Sequence, residues 1–165
     1  MTPYCDFTPD AACDLADINQ MYETGDLVTG VGVSEYFTGV PHKLDLIPND
    51  TVDAADISEW LSLAATANGH GSPYLRGDTD LDRDIDLTDY NSLVTNFDPL
   101  GAYGLHLWQD GNTDGDGDVD LADYNALAGN FHPAGYGAAA VPEPSTALLA
   151  LLALLLLTVF GRLPV

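Results

Sequence analysis

Basic residues are nearly missing from this chain. Four Lys plus Arg stand against 26 Asp plus Glu in 165 residues, a formal net charge of −22. With no basic patch to displace phosphate counterions, no nucleic-acid partner is expected. Glutamate is scarce as well: Glu23, Glu35, Glu59 and Glu143 are the whole set, so 22 of the 26 acidic residues are aspartate. A merely solvated or disordered acidic chain would use Glu freely. Asp, short-stemmed and turn-favouring, suits a loop whose carboxylates converge on one ion. Cysteine is limited to Cys5 and Cys13, eight apart, which is the spacing of neither a zinc knuckle nor a redox pair. In an oxidising compartment they could close a small disulfide loop; otherwise they are two unpaired thiols. The histidines, His42, His70, His106 and His132, show no ligand spacing. Phosphate loops, serine elbows, cysteine–histidine arrangements and carboxylate acid/base pairs in apolar surroundings are all lacking, so no catalytic residue is assigned and the chain is read as a non-enzyme.

What is present is a repeat. Residues 77–99, GDTDLDRDIDLTDYNSLVTNFDP, return as residues 111–133, GNTDGDGDVDLADYNALAGNFHP, with 14 of 23 positions identical at an offset of 34. An aspartate at every second position followed by an apolar helical stripe reads as a calcium loop feeding a helix. Counting a twelve-residue loop from Asp78, positions 1, 3, 5, 9 and 12 are Asp78, Asp80, Asp82, Asp86 and Asp89, with the backbone carbonyl of Asp84 at position 7. The second copy offers Asn112, Asp114, Asp116, Asp120 and Asp123, with the Asp118 carbonyl. Hard oxygens at alternate positions suit 6–8-coordinate Ca2+ better than octahedral magnesium. Ile85 and Val119, at position 8, are where paired loops would exchange a short β-bridge. Position 6 normally carries Gly for a sharp turn. Gly117 complies, but Arg83 does not, at a cost of roughly 1 kcal/mol if the turn keeps its left-handed backbone. Arg83 would also partly neutralise its ligand set.

Two fainter copies start at Asp6 and Asp45. The first offers Asp6, Thr8, Asp10, Asp14 and Asp17, with Cys13 at position 8. A Cys5–Cys13 bridge would pin it across its neck. The second keeps Asp45, Asn49, Asp53 and Asp56 but has Ile47 at position 3 and Asp50 where Gly belongs, so it is expected to be a packed loop without metal. The four loops hold 19 of the 22 aspartates, which makes the charge mostly ligand inventory.

Each loop runs into helical spacing. Leu87, Tyr90, Leu93, Val94 and Phe97 share one face, as do Leu121, Tyr124, Leu127, Ala128 and Phe131; Ile18, Met21 and Tyr22 follow the first loop, and Ile57, Trp60 and Leu61 the second. These stripes are expected to be core, with Pro99 and Pro133 closing the last two helices. The lead-ins GHGSPYLRG and PLGAYGLHLWQDG are broken by Gly and Pro, so no helix should enter either clear loop. That rules against an EF-hand, which needs one on both sides.

A loop followed by one helix, in pairs about 34 residues apart, resembles the type I dockerin module of bacterial cell-surface and polysaccharide-degrading systems. The expected fold is mainly α: paired dockerin-like, half-EF-hand calcium-loop–helix repeats plus one C-terminal hydrophobic helix. Residues 1–70 form a degenerate repeat pair, 71–133 the clear pair, 134–145 a linker, and 146–162 a hydrophobic helix with a basic end. The resemblance implies cohesin binding. Cohesin-binding dockerins often carry Ser-Thr at positions 10 and 11 and Lys-Arg at 17 and 18. Here those positions hold Leu87-Thr88 and Val94-Thr95, then Leu121-Ala122 and Ala128-Gly129, without a basic contact.

The tail carries a second resemblance. Val-Pro-Glu-Pro-Ser at 141–145, the charge-free run TALLALLALLLLTVFG at 146–161 and then Arg162 resemble the PEP-CTERM sorting signal, also described as the C-terminal domain of ice-binding proteins. It implies recognition by an exosortase-type enzyme, membrane association through 146–161, and an acidic body outside the bacterial membrane with Arg162 inside. A single arginine replaces the several basic residues common there. The run would span about 24 Å as a helix, short of the ~30 Å hydrocarbon core. Met1-Thr-Pro-Tyr-Cys has neither the basic start nor the apolar core of an export signal. A misplaced start codon or a longer surface protein upstream is therefore expected, and two alternatives stay open: the tail of a secreted glycoside hydrolase, or a purely structural spacer.

Overall fold

The computed structural model of the chain describes residues 4–23, 27, 43–49 and 51–137. Among them run four α-helices: α1 (Leu15–Glu23), α2 (Ala54–Ala67), α3 (Leu87–Thr95) and α4 (Leu121–Asn130). One 3-10 turn lies at Trp108–Asp110, and extended pairing is confined to two isolated bridges. The mainly α expectation holds among the described residues. Only that single 3-10 turn precedes the loop at 112–123, and no helix directly precedes the one at 78–89.

Each of these four helices starts by the same device. Asp53, Asp86 and Asp120 are N-caps whose carboxylates accept the N–H of Ala55, Thr88 and Ala122 at 2.7, 2.5 and 2.5 Å. Three residues on, Asp56, Asp89 and Asp123 reach back to the N-cap N–H at 2.8, 2.8 and 3.0 Å. Asp14 and Asp17 repeat both bonds before α1. Reciprocal capping satisfies donors that a helix start leaves orphaned and sets negative charge against the positive end of the helix dipole. The remaining oxygen of the later aspartate crosses the loop. Asp17, Asp56, Asp89 and Asp123 accept the N–H of Phe7, Ile47, Thr79 and Thr113 at 2.7, 2.9, 2.7 and 2.7 Å, and all four are buried.

The larger core gathers Ile18, Met21, Tyr22, Ile57, Trp60 and Leu61, as the first two stripes require, and draws in Tyr74 and Trp108 from beyond residue 70. Trp60 Nε1 donates to the Cys5 carbonyl at 2.9 Å, and Trp108 Nε1 to the Asp78 carbonyl at 2.8 Å. Arg76 joins the two halves, donating to the carbonyls of Thr113 and Ala54.

A smaller core of Ile85, Leu93, Val119, Leu127 and Tyr136 lies under α3 and α4. Here the stripe expectation fails. Leu93 and Leu127 are buried, but Leu87, Tyr90, Val94, Phe97, Leu121, Tyr124, Ala128 and Phe131 are exposed. The reason is the way the two repeats cross. A Cβ built on Gly77 would lie 2.7 Å from the Leu127 Cα, and one on Gly111 2.8 Å from the Leu93 Cα. Each short helix therefore presses its backbone onto the glycine that opens the other repeat, enclosing one leucine and leaving its outer face uncovered.

The bridges follow the same exchange and correct another expectation. Ile85 and Val119 do not pair with each other; Ile85 pairs with His132 and Val119 with Asp98, each just past the other repeat's helix. Each loop therefore lies beside the end of the opposite helix. Among the described residues no helix is long and apolar enough to cross a membrane. The expected Pro-Glu-Pro motif and the 146–162 segment lie outside the described residues.

Candidate metal centre

The backbone of the loops is wound by aspartate itself. Asp80 and Asp82 each accept the N–H two residues on, at 3.3 and 2.9 Å, and Asp114 and Asp116 do the same at 3.2 Å each. Such turns curl the chain around its own carboxylates. At position 6 the left-handed backbone is shared by three copies: φ is 67° at Ala11, 74° at Arg83 and 99° at Gly117. The turn does not relax at Arg83, so its strain of roughly 1 kcal/mol stands.

In the first clear loop, ligand oxygens of Asp78, Asp80 and Asp82 come within 4.8 Å of one another, and those of Asp84, Asp86 and Asp89 form a second such group. In the second loop Asp118, Asp120 and Asp123 converge in the same way. Asn112 stands where Asp78 does, which leaves Asp114 and Asp116 as the carboxylates of the early positions. Asp84 and Asp118, expected to offer backbone carbonyls, bring their carboxylates as well.

The donor set could hold a hard cation. The Oδ1 atoms of Asp78, Asp84 and Asp118 are buried without a hydrogen-bond partner, and Asp78 is 0% exposed. A buried carboxylate oxygen without a donor is costly, and native structures rarely leave one. Every ligand offered is oxygen, which fits calcium chemistry. Burial first, and then the Asp89 and Asp80 charges, push the Asp78 carboxyl up to about 7 against the pull of the Tyr136 hydroxyl and the Arg83 N–H. Burial, with Asp123 and Asp116, takes Asp114 to about 6. Asp80, Asp84, Asp118 and Asp123 are also raised, burial leading in each case.

Arg83 does not neutralise this set. Its guanidinium turns away to donate to the Ser72 carbonyl and hydroxyl at 3.0 and 2.8 Å, and it lies 5.3 and 4.7 Å from the ring centres of Tyr74 and Tyr136. Stacking of this kind contributes about 0.5–2 kcal/mol, the same size as the strain at its φ. Tyr136 is the residue that sequence reasoning missed. It belongs to the stretch read as linker, yet it is buried and its hydroxyl donates to Asp78 Oδ2. An aromatic residue in the Gly- and Ala-rich stretch after Pro133 was the only signal available.

The loop at 6–17 is closed by a Cys5–Cys13 disulfide with Cα atoms 5.5 Å apart. No three of Asp6, Asp10, Asp14 and Asp17 converge there, although Asp6 Oδ1 and Thr8 Oγ1 are buried without partners. In the loop at 45–56, Asn49, Asp53 and Asp56 are engaged with backbone N–H groups and no metal-type cluster forms among the described residues. Outside the loops, the exposed stripes of α3 and α4 meet in one apolar strip. It has two shallow depressions, one around Leu87, Tyr124 and Phe131 and its counterpart around Leu121, Tyr90 and Phe97.

No family model matches the chain, nor does any curated protein or solved structure match it significantly.

Proposed function

We propose that the chain is a calcium-stabilised, dockerin-like attachment module that performs no catalysis itself. In this reading it is exported and carried to the bacterial envelope by its PEP-CTERM-like tail, in the service of polysaccharide breakdown. The observation that carries the metal part is Asp78: first in a duplicated aspartate ladder, fully buried, with one carboxylate oxygen lacking any donor. Asp80, Asp82, Asp84, Asp86 and Asp89 would complete the first site. Asn112, Asp114, Asp116, Asp118, Asp120 and Asp123 would form the second. A bound divalent cation would supply positive charge to oxygens that now repel one another. Position-12 aspartates already lock each loop onto the following helix, so relief of that repulsion is felt directly by the fold.

The attachment part rests on the apolar strip. Positions 10 and 17 of both loops, Leu87, Val94, Leu121 and Ala128, are all exposed on it. The docking face would thus be apolar where cohesin-binding dockerins use hydroxyl and basic side chains, and the receiving domain should be correspondingly apolar. Immobilised protein should retain cohesin-like domains in calcium and release them in chelator. Retention of none, in either condition, would leave only a spacer role, which the core shared across residue 70 also suits.

A further inference from the structure

Tyr136 touches the first loop at two separated points. Its hydroxyl donates to Asp78 Oδ2 at position 1 and accepts the Leu75 N–H at 3.1 Å. A phenol has one proton to give, so the Leu75 donor fixes where that proton goes. The Arg83 N–H reaches the same Oδ2 at 3.2 Å. One oxygen of Asp78 is thereby held by protein donors, and the other, Oδ1, is left buried with no partner. At position 6 the Tyr136 N–H donates to the Arg83 carbonyl at 3.0 Å, and its ring stacks on the Arg83 guanidinium. These contacts hold Arg83, which with Leu81 (φ 60°) is one of two non-glycine residues in this loop kept in the left-handed region, at φ 74°.

The second loop has no such strap. The residue 34 positions before Tyr136 is Ala102, which lacks a hydroxyl. Asn112 anchors itself there, its Nδ2 donating to the His106 carbonyl at 3.1 Å and its Oδ1 accepting the Gly115 N–H at 2.9 Å. Gly117 takes the left-handed turn without help.

We propose that Tyr136 is a positioning residue for the cation site at 78–89 alone. It presents Asp78 as a single-oxygen ligand, and cation binding in turn secures the 132–137 strap through which the chain leaves the repeats. This rests on the calcium reading of that loop. By linkage the coupling is reciprocal: whatever the strap adds to cation affinity, the cation adds to seating of the strap. Calcium occupancy would therefore be felt where the chain continues towards its apolar run.

The test is a calcium titration of the full chain, wild type and Tyr136→Phe, followed by NMR at the Thr79 and Thr113 amides, one in each clear loop. Losing one hydrogen bond to a charged group should weaken binding at Thr79 by about tenfold or more and leave Thr113 unchanged. Hydrogen exchange at the wild-type Tyr136 amide needs no variant and should slow at least about tenfold on calcium addition. A Thr79 affinity unchanged from wild type, or an equal loss at Thr113, would overturn the proposal. Should that variant not fold, an exchange rate indifferent to calcium would overturn it instead. Wild-type protein whose Thr79 and Thr113 both ignore calcium would bring down the calcium reading itself, a different result from a failed strap.

Discussion

Leu127 in α4 lies directly on Gly77, the residue that opens the opposite repeat: a Cβ there would sit 2.7 Å from the Leu127 Cα. Gly111 and Leu93 mirror the contact, and both glycines have φ above 100°. Gly77→Ala and Gly111→Ala should each destabilise the protein by roughly 2–5 kcal/mol, strain at positive φ adding to a backbone clash. Urea unfolding in saturating calcium measures this. The two losses should be similar, because the contacts are related by the repeat; a loss under about 1 kcal/mol at either would mean that the helices do not cross there.

The exposed stripe makes a contrasting prediction. Leu87→Asp and Leu121→Asp, at two well-exposed positions, should change stability by no more than about 0.5 kcal/mol and yet abolish partner retention. Leu93→Ala, inside the small core, should cost about 2–5 kcal/mol. Unfolding of the two aspartate variants by several kcal/mol would mean that the stripe is core after all.

Acidity should act in opposite directions with and without metal. Asp78 at about 7 and Asp114 at about 6 keep protons in the folded chain that the unfolded chain releases near its ordinary 3.8. Without metal, their contribution to stability is full below pH about 4 and is lost as pH rises through 6 and 7. On the proposed reading calcium would compete for the same oxygens, so its stabilisation should be full above pH about 7 and shrink towards pH 5. Thermal midpoints measured from pH 5 to 8 in chelator and in calcium should diverge as pH rises. Parallel curves would contradict the placement of these carboxylates.

Reducing the Cys5–Cys13 bridge should loosen the loop at 6–17 and cost about 2–4 kcal/mol, since the bond closes the neck of a loop whose Cys5 carbonyl also anchors Trp60. Unfolding with and without reductant measures the loss, and an unchanged midpoint would show that the bridge does not bear on the fold.

The helix positions and the loop frame were legible in the sequence because aspartate spacing and glycine placement act locally. Asp86 and Asp89 cap α3 whatever surrounds them, and Gly117 turns its loop on backbone sterics alone. What escaped depends on how the repeats cross. Tyr90 and Tyr124 show core periodicity but meet no third layer, so a stripe that reads as buried lies open. Ile85 pairs with His132 rather than Val119 for the same reason: the sequence shows a pair of loops but not that each lies beside the end of the opposite helix. Tyr136 reaches Asp78 across 58 residues, a distance no local pattern reports. The double use of Asp89 and Asp123, as helix caps and as candidate ligands, was hidden because both roles call for an aspartate at one place.

The most direct measurement is far-UV circular dichroism of the chelated protein during calcium addition. Each site held at a hundredfold excess over its Kd adds about 2.7 kcal/mol, enough to decide folding for repeats crowded with carboxylates. A large, saturable gain in helical signal, reversed by chelator and absent from a variant carrying Asp80→Asn with Asp114→Asn, is expected. A spectrum that calcium leaves unchanged, with the helices either formed or unformed throughout, would contradict the metal reading of the duplicated ladder.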